Sequence, residues 1–589
     1  MIFGSRNRTQ ASLAFLLFVI FSFTAVKRVA WADGPSGLAE APADSAAAVE
    51  LGVEQERARH WIDAIETYEK ALKHWPDNSE LKYALRRSRI HFGIERRYND
   101  ASFENRLLRL PRHAALELFN DVIEHVRLYY VDEMSATSFV AHGTESLYIA
   151  MGDEKFLNRN LRGVDRERVA KVRRTLRERF WNRPVADYSV ARDTVSEVCD
   201  LSTAELGLSD TAVVLEYVFG GCNCLDEYSN FLTPDRLTDL HGNINGEFVG
   251  LGIEMKGESG KGMFLVNVLP ESPAEQGGLH PGDYITQIDG TSCLEMTTDE
   301  AAKLLRGPQG SRVSLVVQNP GDQRPRTGEF IRRAVEVKSI PVAQIVEPRS
   351  GIAYIRMTGF QSTSPRELDA ALAKLSHQGM RALIWDLRGN PGGLLPAATS
   401  VLDRFIDAGV LVSTRGRSQD QNSSYSATPH AKYDIPLVLL VDEDSASASE
   451  IVAGAIHDHK RGTIVGRTTY GKWCVQSIYH MPDGAGLRLT TAKFYSPLGH
   501  NLTKVGVRPD VPVDVADASH DAPENHTAFK NPAALKNGQN GDGPRAQAPD
   551  RHLVVRSRLG GRNLPSVDDH DMQAALGVLE RQMHQITGR

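Results

Sequence analysis

The chain has 589 residues, a net charge of −6 at pH 7 and 24% charged residues, which is an ordinary composition for a soluble globular protein. This length predicts three or four domains, and the charge balance, without any Lys/Arg tract, predicts no nucleic-acid partner. The cysteines are an odd and sparse set that predicts free thiols rather than a disulfide framework: Cys199, Cys222, Cys224, Cys293 and Cys474.

Residues 1–32 carry the features of a secretory signal. Two arginines precede an apolar run that is short for a membrane span, and a small-x-small cleavage pattern ends at Ala32. Lys27 and Arg28 lie between the run and this pattern. Two interpretations stay open, a cleaved signal peptide and an uncleaved anchor in the inner membrane. Both predict an exported protein, periplasmic or extracytoplasmic.

Residues 33–50 are rich in Ala, Gly, Pro and Asp and predict a flexible linker. Residues 51–95 resemble one tetratricopeptide repeat, with apolar residues at helical spacing: Trp61, Ala64, Tyr68, Ala71 and Leu72. About three such repeats are normally needed to bury their shared face. A plain helical hairpin packed on the next domain is therefore an equal alternative. Residues 110–240 are predicted to be mostly helical, and we expect this helical N-terminal part to dock an adaptor or to drive self-association.

Residues 242–337 show short alternating strands separated by Gly and Pro. Their glycine-rich series resembles a PDZ domain, in the circular order found in bacterial proteases: Gly250-Leu251-Gly252-Ile253, Gly277-Gly278-Leu279 and Pro281-Gly282-Asp283. The resemblance implies that Gly250, Leu251, Gly252 and Ile253 bind a peptide. Backbone N–H groups of the loop would hold a terminal carboxylate, and the adjacent strand edge would pair with the peptide. The implied ligands are C-termini or unfolded segments that end in apolar residues.

Residues 338–514 alternate apolar strand-like runs with helical segments, which predicts an α/β core. Residues 515–562 are rich in Asp, Asn, Gly, Pro and His and predict a disordered linker, and residues 563–589 predict a C-terminal helix. In the α/β core, the strand ending at Asp386 leads into a glycine-rich turn with Gly392 and Gly393. Glycines let backbone N–H groups approach a ligand closely, so this is either an oxyanion donor or a plain strand-to-helix turn.

Ser447 follows a predicted strand and precedes a predicted helix. Ser447-x-x-Glu450 fits a capping box, a purely structural role. A serine at this place also lies beside unpaired N–H groups at the positive end of the helix dipole. The N–H of Ala448 is then a natural oxyanion donor, and one such donor contributes about 3 kcal/mol to catalysis. The two roles do not exclude each other.

Lys472 ends a segment that almost spells a phosphate-binding P-loop, Gly466 to Lys472. That function is rejected because Trp473 has no hydroxyl for Mg²⁺ and because a strand, not a helix, follows. On a strand, Lys472, Cys474 and Gln476 would share one face, so that Gln476 could orient the lysine amine. A lysine base must be neutral, which requires its pKa to fall by roughly three units, and burial can supply this.

Other chemistries lack support in the sequence. A Ser-His-Asp triad lacks support because the sequence has no Gly-x-Ser-x-Gly elbow. His457 and His459 are predicted to be exposed or packed on the helix after Ser447. No His-Glu-x-x-His pattern or second Cys/His pair is present, so we predict no metal site and no cofactor.

Taken together, the motifs resemble the carboxy-terminal processing peptidases, the S41 family of tail-specific serine proteases. The segments that carry the resemblance are Leu225-Asp226 through Ser229, the PDZ series, Asp386-Leu387-Arg388 through Gly393, Ser445 to Glu450, and Gly471-Lys472 with Gln476. The implied fold is multidomain α+β. It combines a crotonase-like α/β protease core, an inserted PDZ domain, a helical N-terminal region and a tetratricopeptide-like segment.

The resemblance also implies roles for single residues. Ser447 is the implied nucleophile, Lys472 the general base and Gln476 the residue that orients the lysine. The implied oxyanion hole combines the N–H of Ala448 with one glycine of the Gly392-Gly393 pair, and Gly392 is favoured. The expected function is an endopeptidase that processes or degrades exported proteins. The competing function is a PDZ and repeat scaffold whose protease core is inactive or gated.

One departure from the family pattern bears on this site. Family members usually carry glycine after the lysine, where this chain has Trp473. The tryptophan is expected either to alter the local turn or to fill a substrate pocket.

Overall fold

The computed structural model describes residues 44–258, 260–296, 298–322, 324–429, 433–513 and 569–587. The predicted signal segment and the predicted linker over residues 515–562 lie outside these ranges. Within them, no helix is long and apolar enough to cross a membrane. All five cysteines lie within the described residues and are free, which confirms the prediction of unpaired thiols.

The chain begins with three successive helices: α1 (Ser45–Arg57), α2 (Trp61–His74) and α3 (Ser79–Arg97). The predicted linker over residues 33–50 is therefore wrong at its C-terminal end. Alanines at positions 46–48 favour a helix, and the Asp44 side chain caps it by accepting a hydrogen bond from the Ala47 N–H. The buried ring of Tyr68 packs where Gly52 leaves space. The tetratricopeptide-like character of α2 and α3 stays a prediction.

The helical region continues over residues 101–245 and encloses a large apolar core. Its elements are α4 (Ala101–Asn105), α5 (Arg112–Tyr129), α6 (Ala136–Ala150), α7 (Glu154–Asn160), α8 (Arg166–Thr175), α9 (Tyr188–Leu206), α10 (Asp210–Cys222), β1 (Asn230–Leu232) and α11 (Pro234–Asn245). The first three helices are joined to this region by a buried ion pair between Arg97 and Glu216.

Residues 247–336 form a separate β-rich domain around its own small core. Its elements are β2 (Glu247–Gly250), β3 (Ile253–Glu258), β4 (Gly262–Val268), α12 (Pro273–Gln276), β5 (Tyr284–Ile288), β6 (Thr291–Ser292), α13 (Thr298–Leu305), β7 (Arg312–Gln318), β8 (Arg326–Ile331) and β9 (Arg333–Glu336). The main sheet has the order β3-β4-β5-β7-β8. The chain enters and leaves through β2 and β9, which pair with each other as an antiparallel ribbon.

The remaining residues form an α/β core with two sheets. Its elements are β10 (Val342–Glu347), β11 (Ile352–Arg356), α14 (Ser364–His377), β12 (Ala382–Asp386), α15 (Leu395–Leu402), β13 (Val410–Gly416), β14 (Ser423–Ser426), β15 (Leu437–Val441), α16 (Ala448–Asp458), β16 (Thr463–Gly466), β17 (Cys474–His480), β18 (Gly486–Tyr495), β19 (Val511–Pro512) and α17 (His570–Thr587).

The first sheet of this core has the order β10-β11-β12-β15-β16-β19 and is parallel from β11 onward. Helices α14 to α16 share one apolar cluster with it, and α17 shares the cluster on the opposite face. Such two-sided burial explains the uninterrupted apolar runs of β12 and β15. In the second sheet, β18 pairs with β13, β17 and β1. The helical region therefore adds a strand to the α/β core.

Candidate active site

Three neighbouring parallel strands place the predicted catalytic residues at one edge of the first sheet. Strand β12 ends at Asp386, β15 ends at Val441 and β16 ends at Gly466. Ligands and reactive groups gather beyond the carboxyl ends of strands in open α/β sheets. The glycine turn, the serine turn and the lysine loop follow these three strands in turn, so the three predicted motifs meet at the same edge.

Ser447 occupies the N-cap position of α16 in a strained conformation. Its φ is 56° and its ψ is −111°, in a region that costs a non-glycine residue roughly 1–3 kcal/mol. Its side chain faces the start of the helix as in a capping box, but the buried Oγ makes no hydrogen bond to any described residue. The other half of the capping box is formed, because the Glu450 carboxylate accepts from the Ser447 N–H at 2.8 Å. Capping alone does not require the left-handed backbone of Ser447, since an N-cap residue normally has extended dihedrals, and strain at a buried serine is typical of a functional position.

Glu450 connects the serine turn to the lysine loop. Its buried carboxylate accepts hydrogen bonds from the backbone N–H groups of Ser447 at 2.8 Å and Lys472 at 2.8 Å. It also accepts from the Gly471 N–H at 2.7 Å and the Thr469 hydroxyl at 2.6 Å. Burial raises the pKa of Glu450, and the four donors oppose this shift. One carboxylate thus fixes the backbone of both predicted catalytic residues.

Lys472 lies in the interior, with only 4% of its surface exposed. Desolvation lowers its pKa to about 8, a fall in the direction that a lysine base requires. The preceding Gly471, with φ of 90°, packs against the backbone of Lys504, where a side chain would be crowded. The Lys472 Nζ lies 4.3 Å from the ring centroid of Tyr228. No hydrogen bond joins it to Ser447, whose Oγ has no partner among the described residues.

Gln476 is buried close to the lysine loop, but it does not hold the lysine amine. Its Nε2 donates to the Cys474 Sγ at 3.1 Å and, at 3.4 Å, to the Thr490 Oγ1. Its Oε1 is buried without a hydrogen-bond partner among the described residues. A bulge between Val475 and Gln476 interrupts the regular register of β17. The expected hydrogen bond from Gln476 to Lys472 is absent from this structure.

The glycine turn favours Gly393 over Gly392 as an oxyanion donor. The Gly392 N–H already donates to the Asn390 Oδ1 at 2.8 Å, so the sequence-based preference for Gly392 does not fit. The N–H groups of Gly393 and Ala448 have no acceptor among the described residues. Asn390 also brings the two turns together, because its carbonyl accepts from the Ser449 hydroxyl at 2.9 Å. Gly393, with φ of 149°, lies so close to the Phe360 carbonyl that no side chain fits.

Two further sequence expectations concern residues around the lysine loop. Trp473 is buried in the core and packs on Phe494, with ring centroids 4.7 Å apart, so it does not fill a substrate pocket. His457 is half-exposed and pairs with Asp458, and the His459 Nε2 contacts the Val410 carbonyl at 2.8 Å. Neither histidine contacts Ser447, as expected for residues on the surface of α16.

An ion-pair network supports the glycine turn from the side of α17. Arg388 binds the buried Asp386 with two hydrogen bonds, at 3.0 and 2.8 Å. Its Nη1 also contacts Asp569 at 2.8 Å and Asp571 at 3.0 Å. Asp571 further accepts from Arg467, on the loop that leads to the lysine. The start of α17 therefore holds two of the three loops of the site.

The predicted peptide-binding residues lie in the β-rich domain, outside this centre. Gly250 ends β2, Ile253 begins β3, and Gly252 has φ of 79°. The Leu251 carbonyl accepts from the Ala274 N–H at 2.9 Å, which fixes the turn between the two strands. Strand β3 is an edge strand that pairs only with β4 among the described residues, and α13 packs beside it.

Sequence reasoning missed Tyr228 and Asn390 and gave Glu450 only a capping role. Tyr228 lies inside the segment Leu225 to Ser229, which carried the family resemblance, but its spacing from Lys472 offered no signal of contact. Asn390 lies between Gly389 and Pro391, where an amide side chain is typical of turns and so attracts no special interpretation.

Comparisons with known proteins show which families the chain resembles. The family model for peptidase family S41 matches residues 351–513, and a PDZ domain model matches residues 264–319. The chain is 34% identical over 310 residues to a carboxy-terminal-processing protease of Bartonella bacilliformis, covering 52% of this chain and 70% of that protein. It is 35% identical over 338 residues to a carboxyl-terminal-processing protease of Picosynechococcus sp., covering 57% and 76% respectively.

A solved structure, the photosystem II D1 C-terminal processing protease, is similar over a longer stretch. It is 28% identical, and the match covers 68% of this chain and 93% of that chain with a TM-score of 0.35. A TM-score this low carries no argument about how the domains are arranged.

Proposed function

The chain belongs to the S41 family of carboxy-terminal-processing proteases and is a serine-type peptidase, and from this premise we propose that it cleaves peptide bonds with a Ser447–Lys472 dyad. Neutral Lys472 removes the proton of the Ser447 hydroxyl while Oγ attacks the scissile carbonyl. The N–H groups of Ala448 and Gly393 then stabilise the oxyanion. The observation that carries this proposal is that Lys472 is buried, while the Glu450 carboxylate accepts from the backbone N–H groups of both Lys472 and Ser447.

Two variants test the dyad. Ser447→Ala should abolish cleavage of an unfolded substrate, measured by the appearance of new N-termini. Lys472→Arg should fold and stay inactive, because arginine remains protonated at every accessible pH and cannot act as a base. Retained cleavage in Lys472→Arg would rule out lysine as the base, and equal cleavage by Ser447→Ala would rule out the serine.

The proposed substrates are proteins with apolar C-terminal segments. A peptide would add as a strand to the free edge of β3, with its carboxylate at the Gly250–Ile253 turn. Apolar specificity is supported by the half-buried side chains around this edge, among them Ile253, Met255 and Leu304. A substrate ending in Ala-Ala should therefore be cleaved faster than the same substrate ending in Asp-Asp or in an amide.

A matched pair of variants in the β-rich domain tests this binding site. Ile253→Glu places a charge beside the proposed groove and should raise KM for the apolar substrate. Val266→Glu places the same charge on the neighbouring strand β4, where Val266 is already 44% exposed, and should leave KM unchanged. Equal KM values for the two variants would show that this groove does not bind the substrate.

The competing function is a binding scaffold with an inactive or gated protease core. One observation favours it, namely that the Ser447 Oγ and the Lys472 Nζ share no hydrogen bond in this structure. A scaffold would bind unfolded protein without cleaving it under any condition. Cleavage by the unmodified chain, lost in Ser447→Ala, decides in favour of the peptidase.

We also propose that the protein acts on exported proteins outside the cytoplasm. This rests on the sequence of residues 1–32, and sequencing of the mature N-terminus would distinguish a cleaved signal peptide from a retained anchor. Helices α1 to α3 and the helical region over residues 110–240 are the proposed sites for an adaptor or for self-association. Light scattering of the chain with and without residues 44–97 tests the second of these roles.

A further inference from the structure

The side chains of Ser447, Lys472 and Gln476 are all buried in the site, but no hydrogen bond joins the lysine amine to the serine hydroxyl or to the glutamine Oε1. The Lys472 Nζ lies over the face of Tyr228, 4.3 Å from the ring centroid. The Ser447 Oγ and the Gln476 Oε1 are both buried, and neither has a hydrogen-bond partner among the described residues. The lysine head therefore lies on an aromatic face, while the two oxygens that should hold it are left unpaired.

The aromatic contact is selective for the charged lysine. The negative face of a ring attracts an ammonium group within about 6 Å of its centroid, and the attraction strengthens when water is excluded. A neutral amine carries no net charge and gains almost nothing from the ring. It instead has a free electron pair that can accept a hydrogen bond from a serine hydroxyl. The two protonation states of Lys472 thus prefer different neighbours.

We propose that Tyr228 is a positioning residue that holds protonated Lys472 away from Ser447 and releases it when the lysine loses its proton. This inference rests on the proposed Ser447–Lys472 mechanism. The ammonium gives its proton to water and leaves the ring as a neutral amine. The amine then accepts the Ser447 hydroxyl proton as Oγ forms its bond to the scissile carbonyl carbon. The resting enzyme is therefore the form with lysine on Tyr228, and activation begins with deprotonation.

Tyr228 is held firmly enough to act in this way. Its N–H donates to the Asp226 Oδ1 at 3.2 Å, and its carbonyl accepts from the Arg488 Nε at 2.9 Å. Ser229 ties the same turn to β18, because its hydroxyl accepts from the Thr490 N–H at 2.9 Å. The backbone that carries the ring is thus fixed by Asp226 of the helical region on one side and by strand β18 on the other.

Other charged and titratable groups around the lysine act on its pKa as well. Burial lowers the pKa of Lys472, whereas the carboxylates of Asp226 and Glu227 favour its ammonium form and Arg488 disfavours it. The neighbouring Cys474 is a neutral thiol in the same pH range, because burial raises its own pKa to about 12. Tyr228 itself stays a neutral phenol, because desolvation by burial, together with the neighbouring Glu227 and Tyr470, raises its pKa. None of these groups is altered by a change confined to the electronic character of the ring, which makes that change the decisive test.

The test replaces Tyr228 with phenylalanine and then with phenylalanine carrying one, two or three ring fluorines. Fluorine weakens the negative face of the ring almost without changing its shape. The pKa of Lys472 is measured by NMR of ¹³C-labelled lysine side chains in Ser447→Ala protein, with the signal assigned by its loss in Lys472→Met. We expect the pKa to fall stepwise along the series, by about one unit in all. A constant pKa across the series would overturn the proposal.

The control is the same fluorinated residue at Tyr148, whose ring lies 4.2 Å from the Arg173 guanidinium in the helical region. This change should leave the Lys472 pKa constant. In the Tyr228 variants that retain Ser447, the acid limb of kcat/KM should move with the measured pKa of Lys472. Cleavage at acidic pH should therefore rise about tenfold for each unit by which that pKa falls. If the Lys472 pKa falls along the series but none of the proteins that retain Ser447 cleaves substrate, the Ser447–Lys472 dyad alone is refuted. If these proteins are active but the acid limb of kcat/KM does not move with the Lys472 pKa, the role of Tyr228 in activation is overturned.

Discussion

Replacement of Glu450 by glutamine should inactivate the protease while leaving its fold intact. The carboxylate accepts two hydrogen bonds on each oxygen, from Ser447 and Lys472 on Oε2 and from Gly471 and Thr469 on Oε1. Glutamine has nearly the same shape, but one of its two polar atoms is an NH2 group. One pair of donors must therefore face another donor.

The least costly arrangement points the NH2 group toward Thr469 and Gly471. The Thr469 hydroxyl can rotate and accept, whereas the Gly471 N–H is left unpaired. A hydrogen bond to a charged group contributes about 1.5–3 kcal/mol. The opposing effect is desolvation, because burial raises the pKa of Glu450 despite its four donors. Removing this disfavoured charge offsets the lost bond, so we expect the free energy of unfolding at neutral pH to change by less than about 2 kcal/mol.

Activity should fall far more than stability. Gly471 directly precedes the lysine, and an unpaired N–H at this place lets the loop shift. A displacement of about 1 Å at a reacting group can cost about 100-fold in rate. The measurements are kcat on an unfolded fluorogenic substrate and urea unfolding followed by circular dichroism. An unchanged kcat in Glu450→Gln would refute the role of this carboxylate in holding the dyad.

The pH dependence of stability provides a second check on the same variant. Because the folded pKa of Glu450 lies above its unfolded value, the folded state binds more protons between the two values. Wild-type stability therefore falls as the pH rises through this window, and the glutamine variant lacks this loss. The stability of the variant relative to wild type should increase from acidic to neutral pH. A decrease would show that the hydrogen bonds outweigh desolvation. The control is Glu443→Gln at an exposed carboxylate on the serine turn. This change should lower the free energy of unfolding by at most about 1 kcal/mol at any pH.

The activity of the unmodified enzyme should fall about tenfold per pH unit below pH 8, because Lys472 acts in its neutral form and its pKa is about 8. A pH profile of kcat/KM checks this prediction, and an acid limb below pH 6 would contradict it. Trp473→Ala should lower the free energy of unfolding by about 3–5 kcal/mol, since the ring is fully packed in the core; urea unfolding measures it, and a change within 1 kcal/mol would contradict the packing. Asp571→Asn should lower the free energy of unfolding by about 3 kcal/mol and make α17 more sensitive to limited proteolysis, because Arg388 and Arg467 lose their shared carboxylate. Unchanged proteolysis would show that α17 is held by its apolar face alone.

The sequence was most informative where function depends on the ends of neighbouring strands. Apolar runs followed by short motifs predicted which segments are strands, and parallel pairing then brings their carboxyl ends to one edge. The resemblance to the S41 family groups Ser447, Lys472 and the glycine turn in the prediction, and the parallel pairing of β12, β15 and β16 supplies the physical basis of that grouping. The same argument correctly rejected a P-loop, because strand β17 begins at Cys474, directly after Trp473.

The remaining features depend on contacts that local patterns do not encode. Tyr228 reaches Lys472 only because β1 pairs with β18, a contact between segments far apart in the chain. The choice between Gly392 and Gly393 depends on the direction of the Asn390 side chain, since two adjacent glycines look alike in a sequence. The hydrogen bonds of Glu450 to the lysine loop likewise depend on how that loop folds back over α16.

The ribbon of β2 and β9 has a consequence for how such a protease can diversify. Both connections to the β-rich domain run side by side, so the ends of the insertion, near Gly246 and Val337, are joined by a hydrogen bond of 2.7 Å. A domain inserted through adjacent ends can be exchanged for another without changing the length or register of the strands that hold Ser447 and Lys472. Under the proposed function, the choice of substrate and the chemistry of cleavage would therefore be inherited as two separable traits.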